Sequence, residues 1–123
     1  MVYGKILIIL TCLYFTASCS KQYEVNVKEQ KDSWEQQFVA SSMPYSGSSL
    51  KVDVIGNVNG VALISAYPSS QHVESIKSTT VGPGKFVFSL EELEYWNKSV
   101  LLKYEPEANV VGSFSIKVKF DGK

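Results

Sequence analysis

Near its C-terminal end the chain alternates without a break: Phe114, Ile116, Val118 and Phe120 fall on one phase, Ser115, Lys117 and Lys119 on the other. A period of two gives a strand one apolar and one wet face, the habit of an antiparallel sheet with its core on one side. The same reading predicts a strand at SVLLKY (99–104), with Val100, Leu102 and Tyr104 sharing a face, and a shorter one at Trp34–Val39. A weaker strand around His72–Thr79 and the strand KFVFS (85–89) flank a turn at Gly82-Pro83-Gly84. Ser41–Ser49 and the charged stretch Glu105–Val111 read as loops.

The sharpest local signal is LKVDVIGNV, then Asn59-Gly60, then VALISAY. Asn-Gly accepts the positive φ angles of a type I′ turn, so these residues predict a two-residue β-hairpin. Its register pairs Val58 with Val61, Gly56 with Leu63, Val54 with Ser65 and Val52 with Tyr67. One face is then largely apolar, while Ile55 and Ile64 stand on the other. Ser89-Leu90-Glu91-Glu92 fits a capping box, which predicts one short helix over Leu90–Trp96. Seven or eight short strands with so little helix argue for an all-β fold, an antiparallel β-sandwich, with a barrel as the alternative. This domain occupies residues 34–123. Residues 20–33 are polar, with a brief alternation at Tyr23, Val25 and Val27, and are either a tether or a first edge strand.

The first twenty residues follow a different pattern. Lys5 supplies a short basic start, Ile6–Phe15 is an apolar run, and Thr16-Ala17-Ser18 are small residues directly before Cys19. That order is an export signal, and the run is shorter than the roughly 20 residues a membrane helix needs. Residues 1–20 resemble a bacterial lipoprotein signal, although Thr16 stands where that family usually has leucine. The resemblance implies that residues 1–18 are cleaved and that Cys19 becomes an acylated first residue, with 19–33 as the lipidated N-terminus and tether. It also implies an extracytoplasmic, membrane-anchored protein, and the Ser20 that follows implies the outer membrane if the source is Gram-negative. Acylation would leave the mature domain no free thiol, and so neither a disulfide nor a cysteine metal site.

Loss of residues 1–18 leaves residues 19–123, one domain large enough to bury somewhat over 60% of its unfolded surface. Charge is balanced over the whole chain, 12 basic against 12 acidic residues, and every basic residue is lysine. With no basic stripe and no arginine for bidentate phosphate contacts, a nucleic-acid partner is not expected.

The sequence holds no G-x-S-x-G, H-E-x-x-H, phosphate-loop or C-x-x-C motif, so no catalytic residues, no metal site and no cofactor are expected. His72 is the single histidine, among small polar residues, and reads as a surface residue. Glu91, Glu92 and Glu94 are neighbours and cannot face one another across a cleft as a glycosidase pair does. Aromatic residues near predicted loops and strand ends are the remaining lead, since exposed rings stack on sugars or anchor protein partners. Trp34, Tyr95 and Trp96 are the chosen ligand-binding candidates; Tyr45 and Tyr67 lie in similar places. The expected function is non-catalytic binding of a protein or glycan at the cell envelope, with inhibition of an envelope enzyme, toxin or receptor as the alternative and a hydrolase as a remote one.

Overall fold

The computed structural model describes residues 9–14, 20–40, 48–68, 74–95 and 99–122. They form nine strands: β1 (Ile9–Tyr14), β2 (Ser20–Gln30), β3 (Trp34–Val39), β4 (Ser48–Val58), β5 (Ala62–Tyr67), β6 (Lys77–Val81), β7 (Gly84–Tyr95), β8 (Ser99–Pro106) and β9 (Gly112–Gly122). All pair antiparallel, in a five-stranded sheet ordered β1-β2-β9-β4-β7 and a four-stranded sheet ordered β3-β8-β5-β6. The expected antiparallel β-sandwich is therefore what the chain forms. β1 lies inside the segment expected to be the signal peptide and, among the described residues, pairs with β2 alone. The other eight strands make two sheets of four.

The alternation in β9 places Phe114, Ile116, Val118 and Phe120 in the core, as the pattern predicts. Val52, Val54 and Val58 of β4 and Phe86, Phe88 and Leu90 of β7 line the same inner face. Opposite them stand Phe38 of β3, Ala62, Ile64 and Ala66 of β5, and Val100, Leu102 and Tyr104 of β8. Aromatic edges join the layers: Tyr104 and Phe114 have ring centroids 4.8 Å apart, and Tyr23 meets Phe38 edge-on at 5.5 Å.

Three local expectations are corrected. β4 and β5 are not a hairpin; they belong to different sheets, and Asn59-Gly60 is the crossover between them. Asn59 donates its amide to the Val111 carbonyl at 3.1 Å and accepts from the Val111 amide at 2.8 Å, which ties this crossover to the one leading into β9. Gly60 is needed for close approach, since a Cβ there would lie 2.5 Å from Val110 Cγ2. The inward alternation of both strands is real, but their apolar faces meet across the sandwich and not side by side.

The helix expected over Leu90–Trp96 is instead the end of β7, which runs to Tyr95; Trp96 lies outside the described residues. Pairing with β4 satisfies the backbone, and the Ser89 hydroxyl donates to Asp53 Oδ1 at 2.8 Å on the neighbouring strand instead of capping an amide. A register shift near Ser48 and Leu50 turns Tyr95 inward, so the strand ends on a core residue. Residues 20–30 are no tether. They are β2, with Val25 and Val27 buried and the Tyr23 hydroxyl donating to the Val39 carbonyl, so of the two readings of this stretch the strand is correct.

Candidate functional site

The sheet period that sends β4, β7 and β9 into the core also decides what their outer face presents. Outward positions form rows across four strands: Asn26, Ser115, Ile55 and Val87 make one, and Ser113, Asn57 and Lys85 continue the next. Ile55 and Val87 are direct cross-strand neighbours, 60% and 65% exposed. Around them the sheet forms a groove of about 610 Å³, with Asn26, Lys28, Asn57, Lys85, Ser113 and Ser115 at its polar margin. The backbone beneath is closely packed, because Gly56 lies between Phe86 and Phe114 and a Cβ there would come 2.5 Å from the Ser113 carbonyl oxygen.

One margin is shaped by a β-bulge in β2 between Val27 and Gln30. Glu29 within it has φ 51°, an uncommon conformation for a residue with a side chain, and its amide donates to Ser113 Oγ at 3.0 Å. Bulges bend a strand and re-aim its side chains, and they recur beside functional sites. Further along the same face a second depression of about 320 Å³ is charged, lined by Gln22, Glu24, Lys51, Asp53, Lys117 and Lys119 among others. In register, Lys117 lies between Glu24 and Asp53, and Lys51 opposite Glu91.

The aromatic candidates lie elsewhere. Trp34 is 7% exposed and packs edge-on against Phe114 at 5.5 Å, so its indole supports the groove from inside the core. Tyr95 is 5% exposed; its hydroxyl donates to the Ser99 carbonyl at 2.6 Å and also lies 3.2 Å from the Pro68 carbonyl. Burial, with a smaller contribution from the Glu92 charge, pushes the Tyr95 phenol above its usual range, and burial does the same to Tyr104. The expectation of exposed rings is thus not met at Trp34 or Tyr95. Trp96, Cys19, His72 and Tyr45 lie outside the described residues. Tyr67 is half-buried on the outer face of the four-stranded sheet, in register with Leu101.

The residues that sequence reasoning missed are Val87 and the polar groups around it. The available signal was an apolar side chain on the wet phase of a strand: Val87 between Phe86 and Phe88, and Ile55 between Val54 and Gly56. Chemically the groove offers apolar surface, amides, hydroxyls and ammonium groups, which is equipment for binding. Among the described residues no group of three histidine, cysteine or acidic side chains is placed to hold a metal ion.

No protein-family model matches the sequence, and no curated protein matches it. Among solved structures, this β-sandwich is similar to a protein from Bacillus endospore appendages, described as a family of disulfide-linked pili. That match has 9% identity, covers 100% of this chain and 96% of the other, and has a TM-score of 0.51. It is also similar to the carbohydrate-binding module TmCBM61 in complex with β-1,4-galactotriose, with 13% identity, 94% and 88% coverage and a TM-score of 0.50. Identities this low establish a shared fold.

Proposed function

We propose that the protein is a non-catalytic glycan-binding module of the cell envelope, held at the membrane through an acylated Cys19. The observation that carries this reading is the composition of the groove. Ile55 and Val87 offer an apolar floor for the C–H faces of sugar rings, and Asn26, Asn57, Ser113 and Ser115 offer hydrogen-bonding partners for hydroxyls. Such a site pairs apolar surface with a few placed polar groups, the usual make-up of a small-ligand site. Its sandwich is one that also serves a galactotriose-bound module. The signal-like residues 1–18 and Cys19 supply the envelope and anchor parts of the reading.

The test is a glycan array probed with the full chain and with Ile55→Ser/Val87→Ser. Both positions are exposed, so stability should change by no more than about 0.5 kcal/mol each while glycan signal is lost. An array without signal, or signal unchanged in the variant, would overturn the reading. Metabolic labelling with a fatty-acid analogue should mark the protein and fail in Cys19→Ala. Label that persists in that variant would overturn the anchor.

A second reading, a protein partner that includes an envelope enzyme or receptor held inactive, is favoured by a different observation. Ile55, Val87 and Leu93 are all more than half exposed, and all are aliphatic on a sheet face. Recovery of one stoichiometric protein from the native envelope, lost in Ile55→Ser/Val87→Ser, would replace the glycan reading with this one.

A further inference from the structure

We propose that the groove selects glycans bearing negative charge, uronate or sulfate groups, with Lys28 and Lys85 reading that charge. The proposal rests on the glycan reading above and names its ligand class. Among the described residues Lys28 and Lys85 are the only ionisable ones lining the groove, and none of them brings a carboxylate to it. Glu29, next to Lys28, is exposed and stands outside the lining. Neither lysine forms an ion pair among the described residues. Elsewhere on the same face cations have acids beside them: Lys119 lies 3.5 Å from Asp121, and Lys117 sits in register with Glu24 and Asp53. Positive potential is therefore concentrated at the groove even though the whole chain is neutral.

The neutral groups offer both donors and acceptors, and the bonds they already make decide which. Asn26 Oδ1 already accepts from Ser115 Oγ at 2.6 Å, which leaves the Asn26 amide nitrogen to donate. Ser113 Oγ already accepts from the Glu29 amide at 3.0 Å, which leaves its hydroxyl proton to donate. Ser115 Oγ, its proton given to Asn26, and Asn57 Oδ1 remain as acceptors for sugar hydroxyls, and the two ammonium groups are what tip the margin toward a ligand with anionic acceptors. Lys28 on β2 and Lys85 on β7 stand on the two outer strands of four, three strand spacings or about 14 Å apart. The pair therefore brackets the apolar floor from both sides, a spacing suited to a polymer with charge on successive units more than to one small anion.

The experiment titrates the full chain in detergent with polygalacturonate and with dextran sulfate, each against its uncharged counterpart, fully methyl-esterified pectin and dextran, at low and high salt. At least one charged polymer should bind tenfold or more tighter than its counterpart and weaken with salt; which one binds distinguishes carboxylate from sulfate. Lys28→Gln/Lys85→Gln should bind that polymer roughly tenfold more weakly, as expected for two exposed ion pairs lost together, with an unchanged unfolding midpoint. Equal binding of charged and neutral polymers overturns the charge selection and leaves the glycan reading standing. Binding to none of the four overturns the charge selection, and the glycan array then decides the glycan reading separately. Full binding by the double variant, or poly-glutamate bound in preference to every polysaccharide, overturns the proposal.

Discussion

Two buried tyrosines in this sandwich should respond in opposite directions to loss of the same atom. The Tyr104 hydroxyl is buried with no hydrogen-bond partner among the described residues, pressed against Gly112, where a Cβ would lie 2.4 Å from it. An unsatisfied buried polar group costs about 1–3 kcal/mol, so Tyr104→Phe should stabilise the protein by about 1 kcal/mol. The Tyr95 hydroxyl donates to Ser99, and Tyr95→Phe removes that bond and strands a carbonyl, so it should cost about 1–2 kcal/mol. At roughly 4 °C per kcal/mol for a domain of this size, the two midpoints should lie about 10 °C apart, readable by circular dichroism. The pH dependence has a fixed sign as well. Both phenols are held above their ordinary value of 10.0, chiefly by burial, so above that pH the unfolded chain loses protons that the folded one keeps. The associated stability is complete below pH 10, falls as pH rises beyond it, and should fall less steeply in either phenylalanine variant. A Tyr104→Phe variant destabilised as much as Tyr95→Phe would refute the reasoning, because it would show the hydroxyl to be satisfied.

Gly56→Ala should lower the unfolding midpoint by about 10 °C, since its Cβ would meet the Ser113 carbonyl at 2.5 Å and backbone cannot easily move aside. An unchanged midpoint would mean that β4 does not run between β7 and β9 in this register. A chain beginning at residue 20 should keep the same far-ultraviolet spectrum and unfold cooperatively. β2 carries a bulge and exposed Glu24, Lys28 and Glu29, the features that let a strand serve as a sheet edge. Loss of the spectrum, or aggregation of that chain, would show that β1 is an obligatory strand.

Strand phase was legible wherever one face is dry and the other wet, as in β9, because burial alone imposes that alternation. What the sequence did not disclose was which neighbour each strand pairs with. Two alternating strands around Asn59-Gly60 satisfy their apolar faces equally well side by side or across a core, and local turn chemistry does not separate the two. The Ser89–Glu92 pattern failed for a related reason: a capping sequence acts only if the backbone lacks other partners, and β4 supplies them. Trp34 and Tyr95 were misread because nearness to a strand end does not fix which way a ring turns; at Tyr95 one register shift decided it. The groove itself was half legible, through Ile55 on the wet phase. Its second wall needed the pairing of β4 with β7.

The start of β2 at Ser20 carries a consequence for reach. With Cys19 acylated, no slack chain would separate the lipid from the sheet, and Ser20 would stand at the foot of the strand in register with Asp121. Eight residues along β2, at about 3.3 Å each, Lys28 would then stand no more than roughly 26 Å from the anchored end. The domain would pivot about that short attachment with its groove inside this reach, unable to sweep the wide volume open to a module on a long tether. Only a polymer that passes close to the membrane surface would meet it, so proximity would restrict its ligands before any side chain did.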